Sequence, residues 1–175
     1  MESKDTADLP ETPEQSRSKV RAIRILGSRQ LSSREMEKRL VGKGESEDTA
    51  RDTVKWLEDI GAVDDAEYAK AIVSHYSSKG YGLARIKDEL FKRGIPRDMW
   101  DDALTCIEDS DSDEAICRFL EKKLRGSRDK DDLRRVMEAL CRRGFSYEDA
   151  RAAVSRYLES IDNTEDMDAM DERPL

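Results

Sequence analysis

Aromatic side chains are scarce in this sequence, at 6% of 175 residues, and there are only four prolines. With 37% apolar and 41% charged residues beside them, a single large core is excluded and only modest ones remain. The period-two alternation of Val, Ile and Thr that strands need is also missing, while Ala, Leu, Glu, Lys and Arg recur throughout. This composition predicts an all-α fold whose helices pack through narrow apolar stripes. No stretch approaches the ~18 consecutive apolar residues of a membrane helix. The start of the chain has no apolar run resembling a signal peptide, so a soluble, cytoplasmic protein with no membrane partner is expected.

Reactive side chains are equally sparse. Cys106, Cys117 and Cys141 are odd in number, form no CxxC pair and fall in apolar helical phase, which predicts buried, reduced thiols. The single histidine, His75, lies inside a helical stretch, and no serine or cysteine stands in a nucleophile context. There is no HExxH, no Walker A and no GxGxxG after a strand. The acidic runs at 108–114 and 162–172 lack the glycine turn and closing glutamate of a calcium loop. No enzymatic activity, cofactor or metal is expected.

The net charge of −8 is unevenly spread. Residues 1–18 carry −3 and residues 159–175 carry −6, which leaves about +1 on a densely charged body. Both ends read as disordered acidic tails, 1–18 and 161–175, because their few apolar residues cannot offset the entropy of ordering.

Between the tails the chain repeats itself. Residues 35–57, 85–107 and 135–158 align at a constant offset of 50. Met36, Ile86 and Val136 share one column, Leu40, Leu90 and Leu140 the next, and Gly44, Gly94 and Gly144 a third. The first two columns lie four residues apart on one helical face, and the glycine suits a left-handed stop where a Cβ would clash. The columns then continue as Ala50, Trp100 and Ala150, as Val54, Leu104 and Val154, and as Leu57, Ile107 and Tyr157, again one helical face. Ser46 and Ser146 can cap this second helix, Asp149 completing a capping box with Ser146, and Pro96 fits its first turn in the middle unit.

A further helix precedes each pair, with apolar sides at Val20, Ile23 and Leu26, at Tyr68, Ala69, Ile72, Val73 and Tyr76, and at Ile116, Phe119, Leu120 and Leu124. Asp64 and Glu67 read as the capping box of the middle one. The result is nine helices in three tandem three-helix repeats, at 19–61, 62–109 and 110–160, expected to form an elongated curved array with long lateral surfaces and no deep pocket.

Cations recur as well. Lys43, Arg93 and Arg143 each precede the glycine stop, where they complement a helix dipole or line up a positive strip for a polyanion or acidic partner. Lys79, Arg85, Lys87 and Lys92 thicken this pattern in the second module, and Arg134, Arg135 and Arg142 in the third. Tyr81 is the one aromatic set between glycines amid cations, either packed on its module or exposed, with packing favoured.

The stretch "DDAEYAKAIVSHYSSKGYGLARIKDELFKRGI" (64–95) resembles the central repeat of the RecX family, bacterial regulators of the RecA recombinase. The residues that carry the resemblance are Asp64, Asp65, Tyr68, Ala69, Lys79, Gly80, Tyr81, Gly82, Arg85, Ile86, Glu89, Leu90, Gly94 and Ile95, and the three-module plan extends it over 19–160. The resemblance implies helix-turn-helix-like repeats that lie in the groove of the RecA filament on single-stranded DNA, block its extension or promote its disassembly, and so act as a negative modulator of RecA. On that reading the partner-facing candidates are Lys79, Tyr81, Arg85, Lys87, Lys92, Arg93, Arg134, Arg135, Arg142 and Arg143. A monomer is expected. Direct binding of single- or double-stranded DNA through the same cations is the alternative.

Overall fold

The computed structural model describes residues 12–107 and 109–171. Among them are nine α-helices and one 3-10 turn, and no strand. The chain falls into two compact units, one holding the residues up to Tyr68 together with Phe91–Met99, the other holding Ala69–Leu90 and the chain from Trp100 onward.

In the first unit Thr12 starts α1 (Pro13–Leu26) with a capping box, its hydroxyl accepting from the Gln15 amide at 3.2 Å and Gln15 Oε1 accepting from the Thr12 amide at 3.0 Å. Residues 12–18, read from sequence as tail, are therefore the cap and first turns of a helix, and residues 1–11 lie outside the described residues. Ser32 and Glu35 make a second box at the start of α2 (Ser33–Val41), and Ser46 caps α3 (Glu47–Asp59) as its position predicts. Between α2 and α3 Gly44 takes φ +95°, and the amide of Glu45 reaches back to the Leu40 carbonyl at 3.1 Å. That bond closes a left-handed helix stop.

The three helices enclose Ala22, Leu31, Met36, Leu40, Ala50, Val54 and Leu57. The face that α1 buries differs from the one its bulky residues suggest. Val20 is 61% exposed and Ile23 47%, whereas Ser18 and Ala22 are fully buried. Small side chains let α1 approach α3 closely, and the Thr53 hydroxyl satisfies Ser18 Oγ at 2.9 Å while bonding the Thr49 carbonyl at 2.7 Å.

Helices α4 (Asp65–Ser78) and α5 (Leu83–Lys92) follow. Asp64 accepts from the Glu67 amide at 2.9 Å, and Tyr68, Ala69, Ile72 and Val73 are buried as their spacing predicts. The third helix of this module is cut short. A 3-10 turn at Arg97–Met99 leads into α6 (Trp100–Leu104), where the repeat predicts a helix continuing to Ile107. A half-buried Trp100 stands in the column that holds buried Ala50 and Ala150, so this helix cannot come as close to its neighbours. The Thr105 hydroxyl then bonds the Asp102 carbonyl at 2.6 Å at the helix end.

The second unit ends in α7 (Asp109–Leu124), α8 (Lys130–Arg142) and α9 (Tyr147–Asp171), packed around Ile116, Leu120, Leu124, Val136, Leu140, Val154 and Tyr157. Helix α8 begins at Lys130, one turn earlier than α2 and α5 do in their modules, because Asp129 accepts from the amides of both Asp131 and Asp132. Helix α9 carries its backbone through the acidic stretch as far as Asp171.

The three cysteines are free and exposed, contrary to the expectation of burial. Cys117 and Cys141 each follow a buried core residue, Ile116 and Leu140, and one residue further along a helix is about 100° around it. Cys106 lies beyond the end of α6.

Candidate partner-binding surface

The turn Lys79–Gly82 shows why this segment needs two glycines. Gly80 ends α4 at φ +69°, and the Tyr81 amide reaches back to the Tyr76 carbonyl at 3.0 Å. Gly82 serves a different end. Its amide donates to the Arg143 carbonyl at 2.9 Å and the Ala84 amide to the Gly144 carbonyl at 3.2 Å, and a Cβ on Gly82 would fall 2.4 Å from the backbone of Gly144 and Phe145. A Cβ on Gly144 would in turn lie 2.4 Å from the Arg85 amide nitrogen. Two main chains meet here with no room for a side chain on either, so Gly82 marks a close approach between the second and third modules.

The side chain of Arg143 locks the contact. Its Nη1 donates to the carbonyls of Lys79 at 3.0 Å and Gly80 at 3.2 Å, and its guanidinium lies 5.2 Å from the centre of the Tyr81 ring and 4.3 Å from that of Phe119. Tyr81 is half-buried, with the Tyr76 ring 5.4 Å away.

The first unit repeats this arrangement fifty residues earlier. The Arg93 carbonyl accepts from the Ser32 hydroxyl, and a Cβ on Gly94 would fall 2.6 Å from Arg34 Cδ. The Arg93 guanidinium bonds the Tyr68 hydroxyl and lies 5.7 Å from that ring's centre. Beside it Asp65 accepts from the Ser33 amide at 2.8 Å and the Ser33 hydroxyl at 2.6 Å. Burial raises the pKa of Tyr68 above the usual tyrosine value, Arg93 opposing the shift and Glu35 adding to it.

In both places the Arg-Gly end of one module's second helix docks on the residues that begin the second helix of the module before. Lys43, the equivalent residue of the first module, meets a side chain of its own module. The Lys43 carbonyl is taken instead by Arg21 Nη1 at 3.2 Å, and that arginine is also paired with Glu45.

The ten candidates therefore separate. Arg93, Arg143 and Tyr81 are half-buried and engaged within the chain. Arg85 pairs with Glu89 at 2.9 Å and Asp88 at 3.4 Å. Lys79 is exposed, its Nζ 2.9 Å from His75 Nε2. Lys87 and Lys92 are exposed on α5, and Arg134, Arg135 and Arg142 on α8. Arg134 and Arg135 each face an aspartate three residues earlier, Asp131 at 3.2 Å and Asp132 at 3.1 Å.

A further column of the repeat escapes a search for core positions. Val41, Phe91 and Cys141 occupy the same place in each module, follow the buried leucine column by one residue, and are all exposed, Phe91 by 62%. Its signal in the sequence is an apolar residue retained out of phase with the core.

Comparison with known proteins agrees with this layout. Residues 64–104 match the family model described as RecX, second three-helix domain, and residues 110–154 that of the third three-helix domain. The chain is 32% identical over 142 residues to the regulatory protein RecX of Xanthomonas axonopodis pv. citri, spanning 79% of this chain and 86% of that protein. The chain belongs to the RecX family. A second RecX, from Chromohalobacter salexigens, is 31% identical over 140 residues, spanning 79% of this chain and 91% of its own length. The crystal structure of RecX from Lactobacillus salivarius shares the fold, with a TM-score of 0.74 at 24% identity over 82% of this chain and 96% of that one. The Xanthomonas and Chromohalobacter relatives are named as regulatory proteins, and no helix among the described residues is long and apolar enough to cross a membrane.

Proposed function

We propose that this RecX-family chain is a negative modulator of the RecA recombinase that binds in the groove of the RecA filament on single-stranded DNA, and there blocks its extension or promotes its disassembly without chemistry of its own. The observation that carries the reading is the relationship to proteins named regulatory protein RecX over most of their length. Physically, the reading rests on the cations that remain on the surface once Arg93 and Arg143 are assigned to the joints between modules: Lys79, Lys87 and Lys92 around the second module, and Arg134, Arg135 and Arg142 on α8.

Direct binding to naked DNA is the second reading, and α8 favours it least. Arg134 and Arg135 each stand beside an aspartate, so the helix presents mixed charge in place of the uniform positive strip that phosphate neutralisation uses. A protein surface of both signs is the better complement. The test is a titration of RecA's DNA-dependent ATP hydrolysis. Inhibition by the chain, weakened by Lys87→Glu and Arg142→Glu, supports the modulator. Unchanged hydrolysis at equimolar chain, together with a salt-dependent shift of duplex DNA alone, replaces it with the second reading.

A further inference from the structure

Leu133 and Met137 of α8 pack against the third module's own core yet stay only half-buried, so part of each faces solvent. Leu133, Met137 and Cys141 follow one another at intervals of four along one face of the helix, and Tyr147, 67% exposed, stands at its far end. Together they floor an open groove of about 740 Å³. Its rim carries Lys130, Arg134 and Arg142 against Glu138, and with Asp131, which pairs with Arg134 at 3.2 Å, counted as well the rim stays net positive.

The repeat shows what such a face is for. In the first module the corresponding residues of α2, Ser33, Arg34 and Glu37, line a groove shared with Phe91, Ile95 and Pro96 of the module that follows. The face of the third module is more apolar than that of the first, with Leu133 and Met137 in place of Ser33 and Glu37. The Asp132 amide, equivalent to the Gly82 amide that donates to the Arg143 carbonyl, is bonded to Asp129 Oδ1 at 3.2 Å in the extra turn of α8.

We propose that the α8 groove receives an acidic amphipathic helix of a partner protein. Such a helix lays its apolar residues at i, i+4 and i+7 over Leu133, Met137 and Tyr147, with carboxylates toward Lys130, Arg134 and Arg142. The 13 residues of α8 span about 20 Å, room for roughly three turns of a partner helix. The site goes beyond the RecA reading, because it fixes the chemistry of the occupant whichever assembly supplies it.

The test uses the full chain and a synthetic amphipathic helical peptide with leucines at that spacing and glutamates beside them, against one with lysines in their place and one of scrambled order. Binding is read by fluorescence anisotropy and by maleimide labelling of the three thiols, all exposed and only Cys141 in the groove. The expected result is that the acidic peptide binds about tenfold tighter than the basic one and protects Cys141 while Cys106 and Cys117 stay reactive. Arg134→Glu with Arg142→Glu, both on exposed residues, abolishes the preference, and Met137→Glu abolishes binding. Should Met137→Glu unfold the chain, the arginine pair decides alone. Equal binding of all three peptides, no binding, protection of Cys141 by an oligonucleotide in preference to the acidic peptide, or its protection by raised concentration of the chain itself would each overturn the proposal. The ATPase titration is a separate readout, so the groove and the RecA reading fail independently.

Discussion

The guanidinium of Arg143 lies 4.3 Å from the centre of the Phe119 ring while donating to the carbonyl of Lys79 at 3.0 Å, so one side chain ties the turn after α4 to α7 and α8. A planar fork can stack on a ring and bond main-chain oxygens together, whereas an ammonium is a single point of charge. Arg143→Lys is expected to cost about 1–2 kcal/mol, the range of a charged hydrogen bond with some ring stacking lost. Urea denaturation of the two proteins measures it. Arg142→Lys, exposed and one residue away, is expected to leave the midpoint unchanged.

Gly82 and Gly44 predict losses of stability in an order that their backbone angles alone would reverse. Gly44 has φ +95° but nothing within 4 Å of where its Cβ would lie, so Gly44→Ala pays only the strain of a left-handed alanine, about 1 kcal/mol. Gly82 is not among the positive-φ residues, yet its alanine would press on main chain at 2.4 Å. Gly82→Ala is expected to cost about 3 kcal/mol, at the upper end of overpacking. Thermal unfolding of both variants orders them.

Glu58 gives a pH signature. Loss of water around its carboxyl raises its pKa from 4.5, with the carboxylates of Asp65 and then Asp59 adding to the shift. A raised folded pKa contributes stability that is complete below the unfolded value and lost as pH rises through the folded one. At neutral pH that contribution is gone. Glu58→Gln is therefore expected to melt higher than the parent at pH 7, with the difference shrinking as pH falls through the carboxylate range to below 4.5. A gain that stayed constant across that range would assign the effect to something other than the charge.

Charge reversal separates surface from joint. Lys87→Glu and Arg142→Glu lie on exposed residues of α5 and α8 and are expected to keep the parent melting temperature while weakening inhibition of RecA's ATP hydrolysis. Arg93→Glu strikes the bond to the Tyr68 hydroxyl and is expected to lower the melting temperature as well.

Much of this fold was legible because the repeat states each rule three times. The stops at Gly44, Gly94 and Gly144 and the core columns at Met36, Ile86 and Val136 need only local geometry, and the structure places them as expected. Helix α1 departs from its apolar spacing because its burial follows small size: Ser18, bonded to Thr53, and Ala22 are fully buried while Val20 and Ile23 are exposed. The shortened α6 depends on one oversized residue in an alanine column, visible in the alignment but silent about its effect. The candidate surface was the least legible part. Lys43, Arg93 and Arg143 are alike in sequence, and only the three-dimensional contacts distinguish a joint from a free cation.

The fate of Lys43 bears on how the chain behaves when abundant. Proteins made of like units run the risk of growing end to end into fibres, each copy offering the next a seat. Here Arg21 takes up the Lys43 carbonyl, whose counterparts at Arg93 and Arg143 bind a neighbouring module, so that link is spent inside its own unit and is withheld from a second molecule.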